Sequence, residues 1–596
     1  MTTNITGNIG FFPRPGPRVR RLFNYYRHRL TDYESVLAYS LLGVVGGIAS
    51  GLVVLAFELA IAQLAGIWGV GDGGDGFEQL PGVWLFALPA GGAALLGLCY
   101  SRLSPADRET GIVHVISRMH SHYSVLPLRN ALVQFVGGAF ALASGQSGGR
   151  EGPGVHLGGA ANSLLGQWLG LPNNSLRVLI ACGTAGGIAA VFHTPLAGVI
   201  FAMEVIVAEY TVVGFIPVIL AAVSASAVSL GLSPDGRLFD LPILHLNSLL
   251  ELPYIVLLGL CCGITVSAFI RLSALAARTA HWPVVLRFTL AGCLTGSLAL
   301  LVPEILGIGY DTVELALHGE LALTALLTIA ACKLLATAVS CGVGMPIGLI
   351  GPNLLLGACI GGIAGGVGQT LLPGIASQPT LYIVIGMGAA MGAVLNAPLA
   401  AILAIIELTQ NIGISMAAML AIVAATLTNS GLFNQRSAHQ TVLQQLKRRV
   451  PQDPLTQLLH RSNVNATMDT RVVRVPATLS AADIEPLLES RPTWCLVERE
   501  GDDLYLVDGE ELLQWLDEAL AASDEADLTG AGIRRRSITP VPLQATLRQA
   551  LDAMRDNTAE AACVYERSAG SGRRILHGVL TRDIIEAYSL SSLRGE

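Results

Sequence analysis

The sequence has 596 residues, of which 52% are hydrophobic and only 13% are charged, and its net charge is −7 with a mean hydropathy of +0.58. This composition is too apolar for an ordinary soluble protein, and the length allows more than one domain. We therefore predict a polytopic membrane protein.

Apolar runs able to cross a bilayer, which takes about 20 residues each, recur through the first three quarters of the chain. They cover 35–65, 83–100, 177–206, 213–232, 253–271, 286–307, 319–340, 345–371, 380–409 and 412–433. Several are too long for one crossing and contain Gly or Pro, so we expect broken helices there.

Charged residues are concentrated at the two ends of the chain. From Arg436 onward the sequence holds 19 of its 36 Lys and Arg and 24 of its 43 Asp and Glu, which predicts a separate soluble C-terminal domain. The first 30 residues carry six arginines and no acid, and Lys447–Arg449 follow the last apolar run. By the positive-inside rule, both ends are predicted to be cytoplasmic.

The apolar region contains an internal repeat. "GTAGGIAAVFHTPLAGVIFAME" (183–204) aligns with "GMGAAMGAVLNAPLAAILAIIE" (386–407), which places Pro195 on Pro398 and Glu204 on Glu407. "GREGPGVHLG" (149–158) aligns in the same way with "GLIGPNLLLG" (348–357). Small residues shared by composition would not repeat these motifs in the same order. Repeats interrupted by Gly and Pro predict a transporter-like fold with its site between the halves.

The paired Gly-Pro breaks, at Gly149–Pro153 and Gly348–Pro352, predict two helices that begin inside the membrane. The free N–H groups at such an N-terminus need partners, and the helix dipole attracts an anion. Glu151 would compete with that anion when deprotonated and is the predicted proton-sensitive gate. The alternative is a buried ion pair with Arg150, although adjacent residues on a helix do not face each other.

These motifs resemble the CLC family of chloride channels and chloride/proton exchangers. "GREGP" is similar to the family's gating-glutamate motif, and "GLIGP" to its Gly-x-Phe-x-Pro motif with Ile350 at the phenylalanine. The resemblance implies a homodimer with one pore in each subunit, and an all-α membrane domain (34–445) of two inverted repeats with tilted and broken helices. It assigns the gate to Glu151 and implies anion contacts at Gly149, Arg150, Gly152, Leu349 and Ile350.

Three positions depart from the family pattern. "ETGIV" (109–113) places Thr110 where the family has a serine whose hydroxyl contacts chloride. His439 is the best match for the tyrosine that closes the inner side of the pore. Val205 stands where exchangers carry an intracellular proton-relay glutamate, which leaves Glu204 as another candidate for the proton path.

Because a valine cannot carry a proton, the resemblance favours a passive gated chloride channel, including a voltage-gated one, with a coupled chloride/proton antiporter as the alternative. We expect a bacterial inner membrane protein whose partners are chloride, protons and lipid, with no nucleic acid.

The ten cysteines lack metal-ligand spacing, so no metal is expected. No converging catalytic pair occurs in the apolar part, so we expect no enzyme, and His156 and His193 are expected to be packed or hydrogen-bonded.

The tail follows a linker (446–465) and shows two α/β units (466–522 and 533–590), each with the order strand, helix, two strands, helix. It resembles a pair of CBS domains. In that family "GVLTRDII" implies that Thr581 and Asp583 contact an adenine nucleotide, which is a possible ligand although no cofactor is required. The first unit has Asp508 and Glu510 at those places, so a nucleotide sensor and a purely structural, dimer-forming tail both remain open.

Overall fold

The computed structural model describes the chain from residue 36 to residue 594 with gaps. The described ranges are 36–71, 76–121, 124–171, 173–208, 212–232, 239, 244–446, 455, 458–459, 462–499, 503–520, 525–528, 532–543, 545–567 and 574–594. The basic segment 1–33 and Lys447–Arg449, on which the predicted topology rests, lie outside these residues. The chain divides at Val450 into a helical unit and an α/β unit.

The described residues of the helical unit form mainly α-helices, with short 3₁₀ and π-helical turns at some of their ends. They are α1 (Val36–Ile67), α2 (Gly82–Ser101), α3 (Gly111–Ser121), α4 (Leu128–Ala143), α5 (Glu151–Trp168), α6 (Asn173–Phe192), α7 (Pro195–Phe201), α8 (Val212–Leu232), α9 (Leu252–Ala277), α10 (Val284–Ala299), α11 (Tyr310–Leu317), α12 (Leu323–Gly342), α13 (Ile350–Leu371), α14 (Pro379–Leu395), α15 (Pro398–Thr409), α16 (Ser415–Leu427) and α17 (Ala438–Gln445). Within the described ranges, eight helices are long and apolar enough to cross a membrane. The protein is an integral, multi-pass membrane protein.

Two of the long apolar runs are broken at matching positions. The run 177–206 divides into α6 and α7 at His193, and the run 380–409 divides into α14 and α15 at Asn396. Both residues have left-handed backbone angles, with φ of 57° at His193 and 54° at Asn396. A proline two residues later has no N–H to continue the first helix and instead begins the next one.

Three helices of the first repeat were not among the predicted apolar runs. Helices α3 and α4 are 11 and 16 residues long, which is shorter than the roughly 20 residues that a helix needs to cross the bilayer. Helix α5 is rich in glycine and begins with a glutamate, so its mean hydropathy is modest. Short helices of this kind can lie in a membrane only because neighbouring helices surround them.

Close glycine contacts pack the two repeats in the same way. A Cβ on Gly183 of α6 would lie 2.2 Å from the carbonyl oxygen of Gly158 on α5, and a Cβ on Gly386 of α14 would lie 2.2 Å from that of Gly357 on α13. Only glycine allows two helix backbones to approach so closely. The aligned glycines of the two sequence repeats thus make equivalent helix contacts.

The α/β unit contains strands β1 (Val472–Pro476), β2 (Thr478–Ser480), β3 (Trp494–Arg499), β4 (Asp503–Asp508), β5 (Glu525–Asp527), β6 (Arg536–Pro542), β7 (Ala561–Arg567) and β8 (Arg574–Thr581). Its helices are α18 (Ala481–Ser490), α19 (Gly509–Leu520), α20 (Leu547–Asp556) and α21 (Arg582–Arg594). Six strands form one sheet in the order β1-β3-β4-β6-β7-β8, and β2 pairs with β5. In each half, a parallel strand pair is followed by an antiparallel hairpin.

Candidate functional site

The two Gly-Pro breaks lie side by side in the helical unit. Gly149 and Gly348 exchange both backbone hydrogen bonds, each with an N to O distance of 2.7 Å. A Cβ on Gly152 would lie 2.9 Å from the Cα of Gly348, so no larger residue fits there without a shift. Helix α5 begins at Glu151 and helix α13 at Ile350, so two helix N-termini meet at this junction.

The carboxylate of Glu151 is fully buried at this junction. Its Oε2 accepts a hydrogen bond from the backbone N–H of Gly351 at 3.1 Å, and its Oε1 accepts one from the hydroxyl of Tyr310. A carboxylate at the start of a helix in one repeat is therefore bound at the helix N-terminus of the other repeat. Leu349 and Ile350, the predicted N–H donors, immediately precede the glycine that holds the carboxylate.

Arg150 has an acidic partner on a different helix. Its Nε lies 3.3 Å from Oε1 of Glu58 on α1, and its guanidinium carbon lies 5.5 Å from the centre of the Tyr310 ring. Glu58 was not expected from the sequence, where it is a single acid in a long apolar run. The ion pair of Arg150 and Glu58 thus lies next to the tyrosine that holds Glu151, with the guanidinium facing the ring.

A buried lysine supports the loop that carries Tyr310. Lys333 on α12 donates hydrogen bonds from Nζ to the carbonyl oxygens of Ile305 and Gly307, both at 3.0 Å. The Gly307 carbonyl also accepts the N–H of Gly148 at 3.2 Å. Lys333 therefore fixes the loop before α11 against the loop before α5, and so positions Tyr310 opposite Glu151.

Thr110 lies immediately before α3 and is partly buried. The side chain of Gln134 on α4 connects this segment to the second repeat, because its Oε1 accepts the N–H of Gly111 at 2.7 Å and its Nε2 donates to the carbonyl of Pro346 at 2.9 Å.

His439 lies in the first turn of α17, which packs against α3. It is buried, and its Nε2 has no hydrogen-bond partner among the residues that the structure describes.

Glu204 and its repeat equivalent Glu407 bind each other's repeat. Glu407 accepts the N–H groups of Leu196 and Ala197 at 2.9 and 2.8 Å, at the start of α7. Glu204 accepts those of Leu399 and Ala400 at 3.4 and 2.9 Å, at the start of α15. These reciprocal bonds satisfy backbone donors next to Pro195 and Pro398.

Val205 follows Glu204 in a π-helical turn, Ala202–Val207, and packs against the apolar core of the helical unit. The structure thus places the two predicted proton-path residues at the helix pair α7 and α15. The predicted gate and anion contacts form a site separate from this helix pair. That site contains Gly149, Glu151, Gly152 and the loop Gly348–Gly351. Four residues of this site were not predicted from the sequence, because they belong to no motif and are distant in the chain from Glu151. They are Tyr310, Glu58, Gln134 and Lys333.

In the α/β unit, Thr581 and Asp508 have the same structural role. The Thr581 hydroxyl accepts the N–H of Ile584 at 3.4 Å, and Oδ1 of Asp508 accepts the N–H of Glu510 at 3.0 Å. Each residue ends the second strand of a hairpin and caps the helix that follows. Thr581 is buried and Asp583 is exposed in the first turn of α21.

The fold and this site define a class of helical membrane proteins with two repeats meeting at paired helix N-termini. Residues 92–430 match the family described as the voltage-gated chloride channel, and the chain belongs to this CLC family. A putative chloride channel protein, ClcB-like, from Ralstonia nicotianae is 32% identical over 64% of this chain and 91% of its own length. The H(+)/Cl(−) exchange transporter ClcA of Vibrio cholerae is 32% identical over 63% and 82%.

Solved structures share the fold. A slow cyanobacterial Cl−/H+ antiporter superposes with a TM-score of 0.58 at 22% identity, over 68% of this chain and 97% of its own. A eukaryotic CLC transporter superposes with a TM-score of 0.56 at 20% identity, over 94% of this chain and 98% of its own.

Proposed function

We propose that this protein transports chloride across a membrane and exchanges it for protons. Membership of the CLC family supports chloride as the substrate, and several relatives are named H(+)/Cl(−) exchange transporters. The observation that carries the proposal is the carboxylate of Glu151, bound by Gly351 N–H and Tyr310 O–H where two helix N-termini meet. A carboxylate in a site of this kind takes the place of the transported anion.

The geometry supports an alternation between carboxylate and chloride. Deprotonated Glu151 occupies the donors at the start of α13, and the pore is closed. When Glu151 is protonated, it loses the charge that the helix N-terminus favours, and an anion can bind Gly351 N–H and its neighbours instead. Each proton bound at Glu151 thereby admits chloride, which links the two fluxes.

The relatives favour an exchanger over the passive channel that Val205 predicts. Val205 removes one proton-relay position, but it does not remove the protonatable gate itself. A passive, voltage-gated channel is the second candidate, and it rests on this valine. The two functions differ in one measurable property, which is whether a chloride gradient moves protons uphill.

The test is a flux assay on the purified full-length protein in liposomes, with chloride and proton movement followed together. We expect an outward chloride gradient to drive protons against their own gradient at a fixed ratio. Chloride flux with no uphill proton movement would support the channel, and the absence of any chloride flux would contradict the family assignment of substrate.

For the rest of the molecule, the proposal is a homodimer with one pore in each subunit, placed in a bacterial inner membrane with both termini cytoplasmic. The α/β unit is proposed to be a pair of CBS domains. Its two equivalent halves, each with a capped helix after a hairpin, support this interpretation. Size-exclusion chromatography with light scattering tests the dimer, and ligand titration tests the tail.

A further inference from the structure

An apolar groove lies on the surface of the helical unit, between α1, α2 and α4. It is a cavity of about 540 Å³, and its lining residues are apolar apart from the thiol of Cys99 and the hydroxyl of Tyr100. Leu95, Leu132 and Val136 in its walls are 51%, 55% and 65% exposed, so the described residues leave the groove open on one side. In a chain that spans a membrane, an open apolar groove of this kind faces lipid acyl chains.

One end of this groove is basic. The end of α2 lies beside the start of α4, because the hydroxyl of Tyr100 donates to the carbonyl of Val133 at 3.4 Å. Arg102 directly follows α2 and is exposed. Arg129, whose side chain is also exposed, lies in the first turn of α4. It precedes Leu132 and Val133 of the groove by three and four residues, which places it on the same face of the helix.

Two further arginines lie at this end. Arg108 donates from Nε and Nη2 to the carbonyl of Leu103, a residue of the groove, at 3.0 and 2.7 Å. Arg287 on α10 is next to Phe288, whose ring packs against Tyr100, and it is close enough to Arg108 for their like charges to repel. The Nε of Arg287 is buried and has no hydrogen-bond partner among the residues that the structure describes. A buried N–H beside a second guanidinium favours a bound anion.

Two carboxylates oppose these four arginines, and both lie in the loop between α2 and α3. Oδ2 of Asp107 is 3.9 Å from Nη1 of Arg129, and Oε2 of Glu109 is 3.9 Å from Nε2 of His114. Four positive charges against two negative ones leave this end with a net charge of +2. Basic pockets between membrane helices bind anionic lipid headgroups. The charge therefore favours a headgroup with a net negative charge over a zwitterionic one.

We propose that this groove binds one anionic phospholipid in each subunit, with an acyl chain between α2 and α4 and the phosphate at the four arginines. The predicted topology places the basic end on the cytoplasmic side, because α1 starts there and α2 returns to it, and this leaflet carries anionic lipids. A second copy related by a two-fold axis along the membrane normal would bring the same arginines to the same depth, where they would repel. The inference does not depend on whether the protein is an exchanger or a channel.

The headgroup is tested on the purified full-length protein in detergent micelles, with phosphatidylglycerol and phosphatidylcholine of the same acyl chains. Native mass spectrometry counts the bound lipids and gives their affinity. We expect one phosphatidylglycerol per subunit, and phosphatidylcholine bound at least about tenfold more weakly. The double variant Arg102→Gln/Arg129→Gln should lower the affinity for phosphatidylglycerol by about thirtyfold, since each basic residue near a charged headgroup contributes about fivefold. Arg271→Gln changes an exposed arginine on α9, outside the groove, and should bind as wild type.

The acyl-chain position is tested with Leu132→Trp, which places a large ring in the groove. We expect the affinity for phosphatidylglycerol to fall by about tenfold, the effect of excluding roughly two CH₂ groups of the chain. Leu257→Trp is the matched control, because Leu257 on α9 is 51% exposed and does not line the groove. It should keep the wild-type affinity.

Four results would overturn the proposal. They are equal binding of the two lipids by the wild type, unchanged affinity in the double arginine variant, displacement of phosphatidylglycerol by an equal concentration of glycerol 3-phosphate, and a monomer in place of a dimer for Leu132→Trp. The third would make the basic end a plain anion site, and the fourth would make the groove a subunit contact. If Leu132→Trp does not fold, the double variant decides the question, because both of its arginines are exposed.

Discussion

The hydroxyl of Tyr310 donates a hydrogen bond to Oε1 of Glu151, although the two residues are 159 positions apart in the sequence. Tyr310 begins α11, and the loop before it is held by Lys333. A phenol that donates to a carboxylate stabilises its charged form, because the bond is stronger to an anion than to a neutral acid. In the proposed function, Tyr310 is therefore a positioning residue that favours the closed gate.

Tyr310→Phe removes this donor and retains the ring beside Arg150. The closed, deprotonated state loses a hydrogen bond to a charged group, which is worth about 1.5–3 kcal/mol, so we expect chloride flux at neutral pH to rise by about tenfold or more. Chloride flux in this variant should also persist to a higher pH than in the wild type. Tyr254→Phe, which loses only a bond to the Ala364 carbonyl, is the control. Equal flux in the two variants would refute the positioning role.

Glu151→Gln mimics the protonated gate and cannot be ionised. We expect raised chloride flux at neutral pH, a flat pH dependence between about pH 5 and 8, and loss of coupled proton movement. Glu314→Gln changes an exposed glutamate on α11 and should behave as wild type. A folded Glu151→Gln protein with the wild-type pH dependence would show that another group is the gate.

Gly351→Ala tests the bound position of the carboxylate without altering any titratable group. A Cβ at residue 351 would lie 2.7 Å from Oε1 of Glu151 and 3.1 Å from Ile308, so the carboxylate has to move away from the helix N-terminus. We expect chloride flux or its pH dependence to change, and anion affinity to fall. Gly91→Ala has open space around the new methyl group and serves as the control. Isothermal titration with chloride measures the affinity, and wild-type values would contradict the site geometry.

Glu407→Gln and Glu204→Gln should destabilise the protein by similar amounts, because each carboxylate accepts two backbone N–H groups of the opposite repeat. Loss of the charge at such a cap is expected to lower stability by about 1–2 kcal/mol. The melting temperature in detergent measures this loss, while the chloride-to-proton ratio should stay unchanged in both. A ratio that falls only in Glu204→Gln would return Glu204 to the proton path.

Thr581→Ala tests the tail in the full-length protein. If the α/β unit binds an adenine nucleotide, we expect weak binding at one site per subunit, weaker still in the variant, since Asp508 and Glu510 oppose phosphate in the first half. Titration calorimetry with ATP, ADP and AMP measures it. Because Thr581 also caps α21, Thr581→Ser is the control, since serine keeps the hydroxyl. No heat with any nucleotide would leave the tail as an assembly domain.

The repeat and its paired helix starts were predictable from sequence because local chemistry decides them. Proline cannot continue a helix, and glycine permits the close contacts made by Gly149 and Gly348, so aligned motifs predict aligned breaks. Short helices such as α3 and α4 were not predictable in this way. Their position in the membrane depends on surrounding helices rather than on their own hydropathy.

By itself, the sequence determined that the protein is a membrane protein of two repeats, with Glu151 between them and a charged α/β tail. It did so because hydropathy, proline and glycine act over a few residues. Only the tertiary structure decided what surrounds the gate. The contacts of Glu151 with Tyr310, of Arg150 with Glu58 and of His114 with His156 join residues far apart in the chain. Burying a polar group costs less free energy where folding brings a partner within hydrogen-bond distance.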